Sequence, residues 1–319
     1  MRVMVTGGLG VNGAWLLREL LARDNEVIVF ENRHDTSLID DVADRVQIVI
    51  GDITDAAGLA EAVRQVAPDS IVHLAAFVDC ENDPVTAVAV NVGGTTNVLA
   101  AAAAAGVRRV VFTSSKAVYA PAIGAHGHPE YRPIGEDDAQ VPTGMYGITK
   151  AAGEAIVDWY GRTTDVECVS LRFATIFGPG RLQRHSGSIN TYSSMIELPA
   201  MGQPFALDHG GDEGDGLIYV LDVADAIATV TLAPGVLPHS VYNVADGGVW
   251  SMNDFANSIR ALIPDAELEV GSGLNPMNQP DPYYMAIDAS RMAGDFGWRP
   301  QYGLDRAIEH YVGLVRARV

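Results

Sequence analysis

The stretch Thr6-Gly-Gly-Leu-Gly10-Val-Asn-Gly13 limits the possible folds more than any other part of this chain. It follows a short apolar run, Arg2 to Thr6, and opens an apolar-striped segment from about Asn12 to Arg23. The run reads as a strand, the glycines as a turn, and the segment as a helix. Gly7 permits the tight turn, Gly10 lets a pyrophosphate approach the backbone, and Gly13 lets helix and strand pack closely. Val11 opens the helix, whose N-terminus carries partial positive charge and faces the phosphates. The spacing is Gly-x-x-Gly-x-x-Gly, and its place between strand and helix makes it a dinucleotide-binding signal. Glu31 ends the next predicted strand, Glu26 to Phe30, where a carboxylate meets the adenosine ribose. That position selects NAD over NADP, although Arg33 nearby leaves room for a 2′-phosphate.

The expected fold class is α/β, a doubly wound parallel Rossmann sheet with a smaller C-terminal substrate-binding lobe. Further strands are expected at Val46–Ile50, Ser70–Leu74 and Arg109–Thr113, with Thr54 capping a helix that runs to about Val66. The first two of these strands lead into Asp52-Ile53 and Leu74-Ala75-Ala76. Those residues lie on the sheet edge where ligands bind, and the small ones let a flat cofactor lie across it. His73 reads as a packed core histidine. A long helix is expected from about Pro84 to Ala105, and its internal Gly93-Gly94 calls for close approach of a neighbouring backbone. Residues 166–172 are expected to complete the sheet, and 217–220 to form another strand. The domain reading is a Rossmann domain at 1–180, rejoined by 217–235, with the lobe built from 181–216 and 236–319.

Charge and cysteine content exclude several functions. With 21 basic against 40 acidic residues the net charge is −19, which disfavours nucleic acid and anionic membrane surfaces as partners. Two cysteines, Cys80 and Cys168, cannot form a disulfide framework or a four-thiolate metal site. No metal is expected: His126 and His128 lie in the loop at 117–142 without an evident third ligand. The N-terminal apolar run is too short for a signal peptide, and no run reads as a membrane span, so a cytoplasmic setting is expected.

The chemistry is expected at Tyr146 and Lys150, four residues apart and hence on one helix face. A free phenol has a pKa of about 10, which a nearby ammonium lowers, so the pair can exchange a proton with an alcohol or ketone. Ser115 ends the fifth strand and points toward the same crevice, with Ser114 beside it.

Together these motifs resemble the extended short-chain dehydrogenase/reductase superfamily, in particular its NAD-dependent epimerase/dehydratase branch. The matching residues are Thr6-Gly7-x-x-Gly10-x-x-Gly13, Asp52-Ile53, Leu74-Ala75-Ala76, Asn91, Ser115 with Val118-Tyr119, and Tyr146-x-x-x-Lys150. Further matches are Leu171-Arg172-Phe173 to Gly178-Pro179-Gly180, Val220-Leu-Asp222-Val-Ala224 and Gly297-Trp298-x-Pro300, so nearly the whole chain is covered. The resemblance implies an enzyme that transfers hydride between a substrate carbon and NAD. Tyr146 would be the acid/base, Lys150 would bind the nicotinamide ribose and lower the tyrosine pKa, and Ser115 would hold the reacting oxygen. Asp52 and Ile53 would hold the adenine, Asn91 would belong to the cofactor site, and the protein would be a homodimer.

Three features depart from that pattern. Lys116 and Ala117 replace the acidic pair of the branch's dehydratases. Thr175 replaces an asparagine common in nucleotide-sugar enzymes, and Asp215, in the run Gly211–Gly216, stands near the place where those enzymes use an arginine to hold a phosphate. The resulting expectation is an epimerase or dehydrogenase acting on a sugar-like secondary alcohol without a nucleotide diphosphate. Ser115, Lys116 and Thr175 would face the substrate, with Arg181 or Arg184 free to hold a carboxylate. The lobe's loops also carry Gln183, His185, Ser188, Tyr192 and His209, any of which could touch substrate, although each reads better as a surface or packing residue. The alternatives are a nucleotide-sugar 4-epimerase and a non-catalytic NAD-binding regulator.

Overall fold

The computed structural model describes residues 1–184 and 190–317. Strands β1 (Arg2–Thr6), β2 (Glu26–Glu31), β3 (Gln47–Ile50), β4 (Ser70–His73), β5 (Arg109–Ser115) and β6 (Glu167–Phe173) are all parallel. They form a seven-stranded sheet whose order is Val241–Val244, β6, β5, β4, β1, β2, β3. The strands are apolar almost throughout because helices cover both faces. The order reverses beside β1, and the crevice at that switch point opens outside the carboxyl ends of the strands.

The sheet corrects the expected strand inventory. β6 does not complete it, because Val241–Val244 adds a seventh strand, with Tyr242 opposite Leu171. A lobe beginning at 236 would include that strand, which is hydrogen-bonded into the large sheet. Four residues, Val241-Tyr-Asn-Val244, carry too little pattern to reveal their partner. The strand at Leu217–Tyr219 pairs with Thr175–Phe177 in a separate two-stranded sheet. The rest of the lobe packs its own core around Phe177, Tyr219, Phe255 and Tyr311.

Other corrections are local. Asp55, not Thr54, caps the helix Ala56–Val66 by accepting from Gly58 N at 3.1 Å. Thr54 instead bonds to Asp52 Oδ1 through both its amide and its hydroxyl, each at 2.8 Å. The helix at Pro84–Ala105 is continuous but widens to π geometry over Val88–Gly94. A Cβ on Gly94 would lie 2.5 Å from the Ile53 side chain, so a side chain and not a backbone accounts for that glycine. By length and composition this helix could also cross a membrane. It packs against the Ala56–Val66 helix and the helix Met145–Thr163.

One buried cation joins the layers. Arg109, on β5, is fully buried. It donates to the carbonyls of Val230 at 2.6 Å, Ala233 at 2.9 Å and Gly235 at 2.9 Å, and to Glu167 at 2.6 Å. Those carbonyls lie at and just beyond the C-terminus of the helix Val220–Leu232 and have no partner within it. The side chain thus satisfies a helix end and fixes it against the sheet.

Candidate active site

A cleft of about 1580 Å³ runs along the strand ends, from the glycine turn to the lobe. Gly7 has φ +73°, and a Cβ there would lie 2.7 Å from the Ala75 backbone. A Cβ on Gly13 would lie 2.4 Å from Gly8 O, where helix meets strand. Gly10 meets nothing closer than Gly7 O at 3.3 Å and lines the cleft with Leu9 and Val11. This cradle leaves room for a pyrophosphate against backbone amides. Glu31 lies at its rim, with Oε1 accepting from Asn32 N at 3.0 Å. Asp52, Ile53, Leu74, Ala75 and Ala76 line the same half, so all but one of the expected cofactor contacts converge there.

The exception is Asn91. Its Oδ1 accepts from Phe77 N at 2.7 Å, and its Nδ2 donates to Phe77 O at 2.9 Å and to Thr149 Oγ1 at 3.1 Å. It is 3% exposed and does not line the cleft. These bonds tie the loop after β4 to the helix that carries Tyr146. His73 is core, as expected: its ring nitrogens meet Thr6 Oγ1 at 2.7 Å and Thr95 Oγ1 at 3.0 Å. Burial holds its pKa down to about 3.

Ser115, Tyr146 and Lys150 all line the cleft. Lys150 Nζ lies 5.7 Å from the Tyr146 ring centre and donates to Thr113 O at 2.7 Å. Burial lowers the Lys150 pKa to about 8. Tyr146 departs from expectation: burial pushes its hydroxyl up to about 12, and the cation that opposes this is Arg181. Ser115 Oγ accepts from Ala117 N at 3.2 Å, which leaves its proton free to donate. Ser114 Oγ is buried without a hydrogen-bond partner among the described residues.

The three departures from the family pattern meet at one point. Asp215 Oδ1 pairs with Lys116 Nζ, and Asp215 Oδ2 accepts from Thr175 Oγ1 at 2.6 Å. The Met285 amide donates to Asp215 at 3.0 Å. Lys116 is 6% and Asp215 2% exposed, and all three side chains line the substrate half of the cleft. Burial lowers the lysine pKa and raises that of the aspartate, while their attraction works against both shifts. Arg184, one of the two arginines expected to be free, is engaged with Asp35 and Ser37. Arg181 has no such partner among the described residues.

The sequence reading missed the segment at 277–284. Tyr283 Oη accepts from Thr143 N at 3.1 Å and Gly144 N at 3.2 Å, one turn before Tyr146. Tyr284 lines the cleft beside it. The Tyr-Tyr doublet after a proline-rich run was the available signal. Of the other lobe candidates, Gln183 lines the cleft, and the buried Tyr192 hydroxyl has no partner among the described residues. His209 lies near Asn275 O at 3.2 Å and does not line the cleft. His185 and Ser188 lie outside the described residues. No group of His, Cys, Asp and Glu fit to hold a metal occurs among the described residues.

A glycine cradle at the switch point of a parallel sheet, with Ser, Tyr and Lys on the substrate side, defines an NAD-dependent enzyme of the extended short-chain dehydrogenase/reductase class. The model of the NAD dependent epimerase/dehydratase family matches residues 3–245, and the chain belongs to that family. It is 28% identical to the UDP-glucose 4-epimerase of Lacticaseibacillus casei, over 97% of this chain and 95% of the relative. It is 28% identical to the dTDP-L-rhamnose 4-epimerase of Burkholderia thailandensis, over 96% and 93%. The crystal structure of Thermus thermophilus UDP-glucose 4-epimerase in complex with NAD superposes with a TM-score of 0.83 at 27% identity, covering all of both chains.

Proposed function

We propose that the protein catalyses reversible NAD-dependent hydride transfer at a secondary alcohol of a sugar substrate and acts as a nucleotide-sugar 4-epimerase. The convergence of Ser115, Tyr146 and Lys150 on a cleft that ends in the glycine cradle carries the reading. The names of the similar proteins support the substrate class. Tyr146 takes the proton of the substrate hydroxyl during oxidation and returns it during reduction. Ser115 donates to the reacting oxygen, Lys150 would hold the nicotinamide ribose, and Arg181 supplies the positive charge that favours the tyrosinate. Bound NAD supplies the hydride acceptor and donor that no side chain provides. The intact trio argues against a binding-only regulator.

One observation favours a second reading, a smaller sugar acid or polyol without a diphosphate. Asp215, near the position of the family's phosphate arginine, faces the cleft and is paired with Lys116. A diphosphate requires cations or backbone donors, and this cluster presents no net positive charge. A panel of UDP- and dTDP-sugars, uronic acids and polyols separates the readings through product stereochemistry and NADH release. Inverted nucleotide sugar without NADH accumulation supports the first. NADH accumulation with a sugar acid, and no turnover of nucleotide sugars, replaces it with the second. Absence of both, with no exchange of a carbinol hydrogen, would favour the regulator.

The reading includes a homodimer. Val85 and Val88 on the helix Pro84–Ala105, and Ile148 and Trp159 on the helix Met145–Thr163, are exposed apolar residues, with Val85 79% exposed. Pairing these helices across a two-fold axis would bury them. Light scattering is expected to give twice the chain mass of 33.9 kDa, and Val85→Asp is expected to shift the protein toward monomer. A concentration-independent monomer would exclude the pairing.

A further inference from the structure

We infer that Arg181 receives an oxyanion of the substrate, carboxylate or phosphate, and is the residue that positions substrates in the lobe half of the cleft. The inference rests on the proposed function only in placing the substrate in this cleft.

Arg181 begins the short helix Arg181–Arg184 and lines the cleft, yet is only 8% exposed. Among the described residues its buried Nε has no hydrogen-bond partner, and no carboxylate pairs with the guanidinium. Buried charges are ordinarily paired because losing water is costly. A buried, unpaired guanidinium that lines a ligand cleft therefore has a pairing deficit that a bound anion can fill. The planar fork of donors suits a carboxylate or a phosphate, each of which it can meet with two parallel bonds.

The other buried or half-buried cations of this part of the cleft are already engaged. Lys116 is paired with Asp215, Arg184 with Asp35, and Lys150 donates to the Thr113 carbonyl. Arg181 also lies close enough to Tyr146 to favour its ionised form. An anion held there would sit near the acid/base and moderate that effect, which couples substrate binding to the proton step.

The test uses the NAD-bound protein and calorimetric titration with three non-reacting probes: UDP, glucuronate and inorganic phosphate. Wild type is compared with Arg181→Met and Arg181→Lys. Binding of at least one probe is expected to weaken about 10- to 100-fold in Arg181→Met, and less in Arg181→Lys, because a charged two-bond contact is lost. Loss confined to UDP identifies a nucleotide diphosphate as the source of the anion, and loss confined to glucuronate identifies a sugar acid. NAD affinity is expected to stay within about twofold, and the melting temperature without probe to hold or rise, because an unpaired buried charge has been removed. Equal probe binding by wild type and Arg181→Met, or a wild type that binds none of the three, would overturn the inference. A melting temperature several degrees lower in Arg181→Met would mark the residue as structural and also overturn it. None of these readouts requires turnover, so failure of the proposed reaction would leave the result interpretable.

Discussion

The two halves of the cleft are built by different means. Backbone builds the cofactor half: Gly7, Gly10 and Gly13 leave room, Ala75 and Ala76 stay small, and the helix from Val11 supplies amides. Side chains from distant parts of the chain build the substrate half. Lys116 follows β5, Thr175 follows β6, and Asp215 and the Met285 amide come from the lobe. A backbone-built site is fixed by sheet topology and serves one ligand class. A side-chain-built site can change specificity without disturbing the fold, and there this chain departs from its relatives' pattern.

The first way to test that contrast is to remove chemistry without touching either half. Tyr146→Phe keeps the ring and removes the proton donor, so turnover is expected to fall about 10²–10⁴-fold. NAD affinity, measured by fluorescence titration, is expected to stay nearly unchanged. Near-normal turnover would show that the acid/base is another group. A second test breaks the buried pair. Asp215→Asn leaves Lys116 buried and uncompensated, and removing one partner of such a pair costs about 3–5 kcal/mol of stability. The double change Lys116→Met with Asp215→Leu is expected to recover most of that loss in urea unfolding. If the double variant is as unstable as the single one, the pair matters to the fold in a way that charge balance does not explain. The smallest effect belongs to the cofactor half. Glu31→Ala removes the carboxylate expected at the ribose 2′-hydroxyl and is expected to weaken NAD binding about tenfold, the scale of one charged hydrogen bond. Its preference for NAD over NADP should narrow as the repulsion of a 2′-phosphate disappears. Unchanged selectivity in paired titrations would place the discrimination elsewhere.

The same contrast explains what the sequence revealed. The glycine cradle, Glu31 and the Tyr146–Lys150 pair depend on spacings within single strand–turn–helix units, which the linear order preserves. Lys116, Thr175 and Asp215 each stood out as departures, but nothing in their spacing showed that they form one hydrogen-bonded cluster. Arg181 and Arg184 read as equivalent, and only the position of Asp35 separates them. Asn91 carries a family signature, yet its side-chain contacts run to Phe77 and Cys80 in the loop after β4 and to Thr149 on the catalytic helix. The segment at 277–284 carried no motif, since its function lies in where the lobe places it.

The seventh strand has a consequence for how the chain reaches this structure. β6 ends at Phe173 and its outer neighbour begins only at Val241, so most of the lobe's first half lies in the intervening loop. Closing a long loop before its contacts form carries an entropic cost, and such high contact order slows folding. During synthesis, the edge of β6 stays unpaired until residue 244 has emerged. Until then that edge can pair with other strands, so the segment that later lines the substrate site also sets how long the nascent sheet remains open to aggregation.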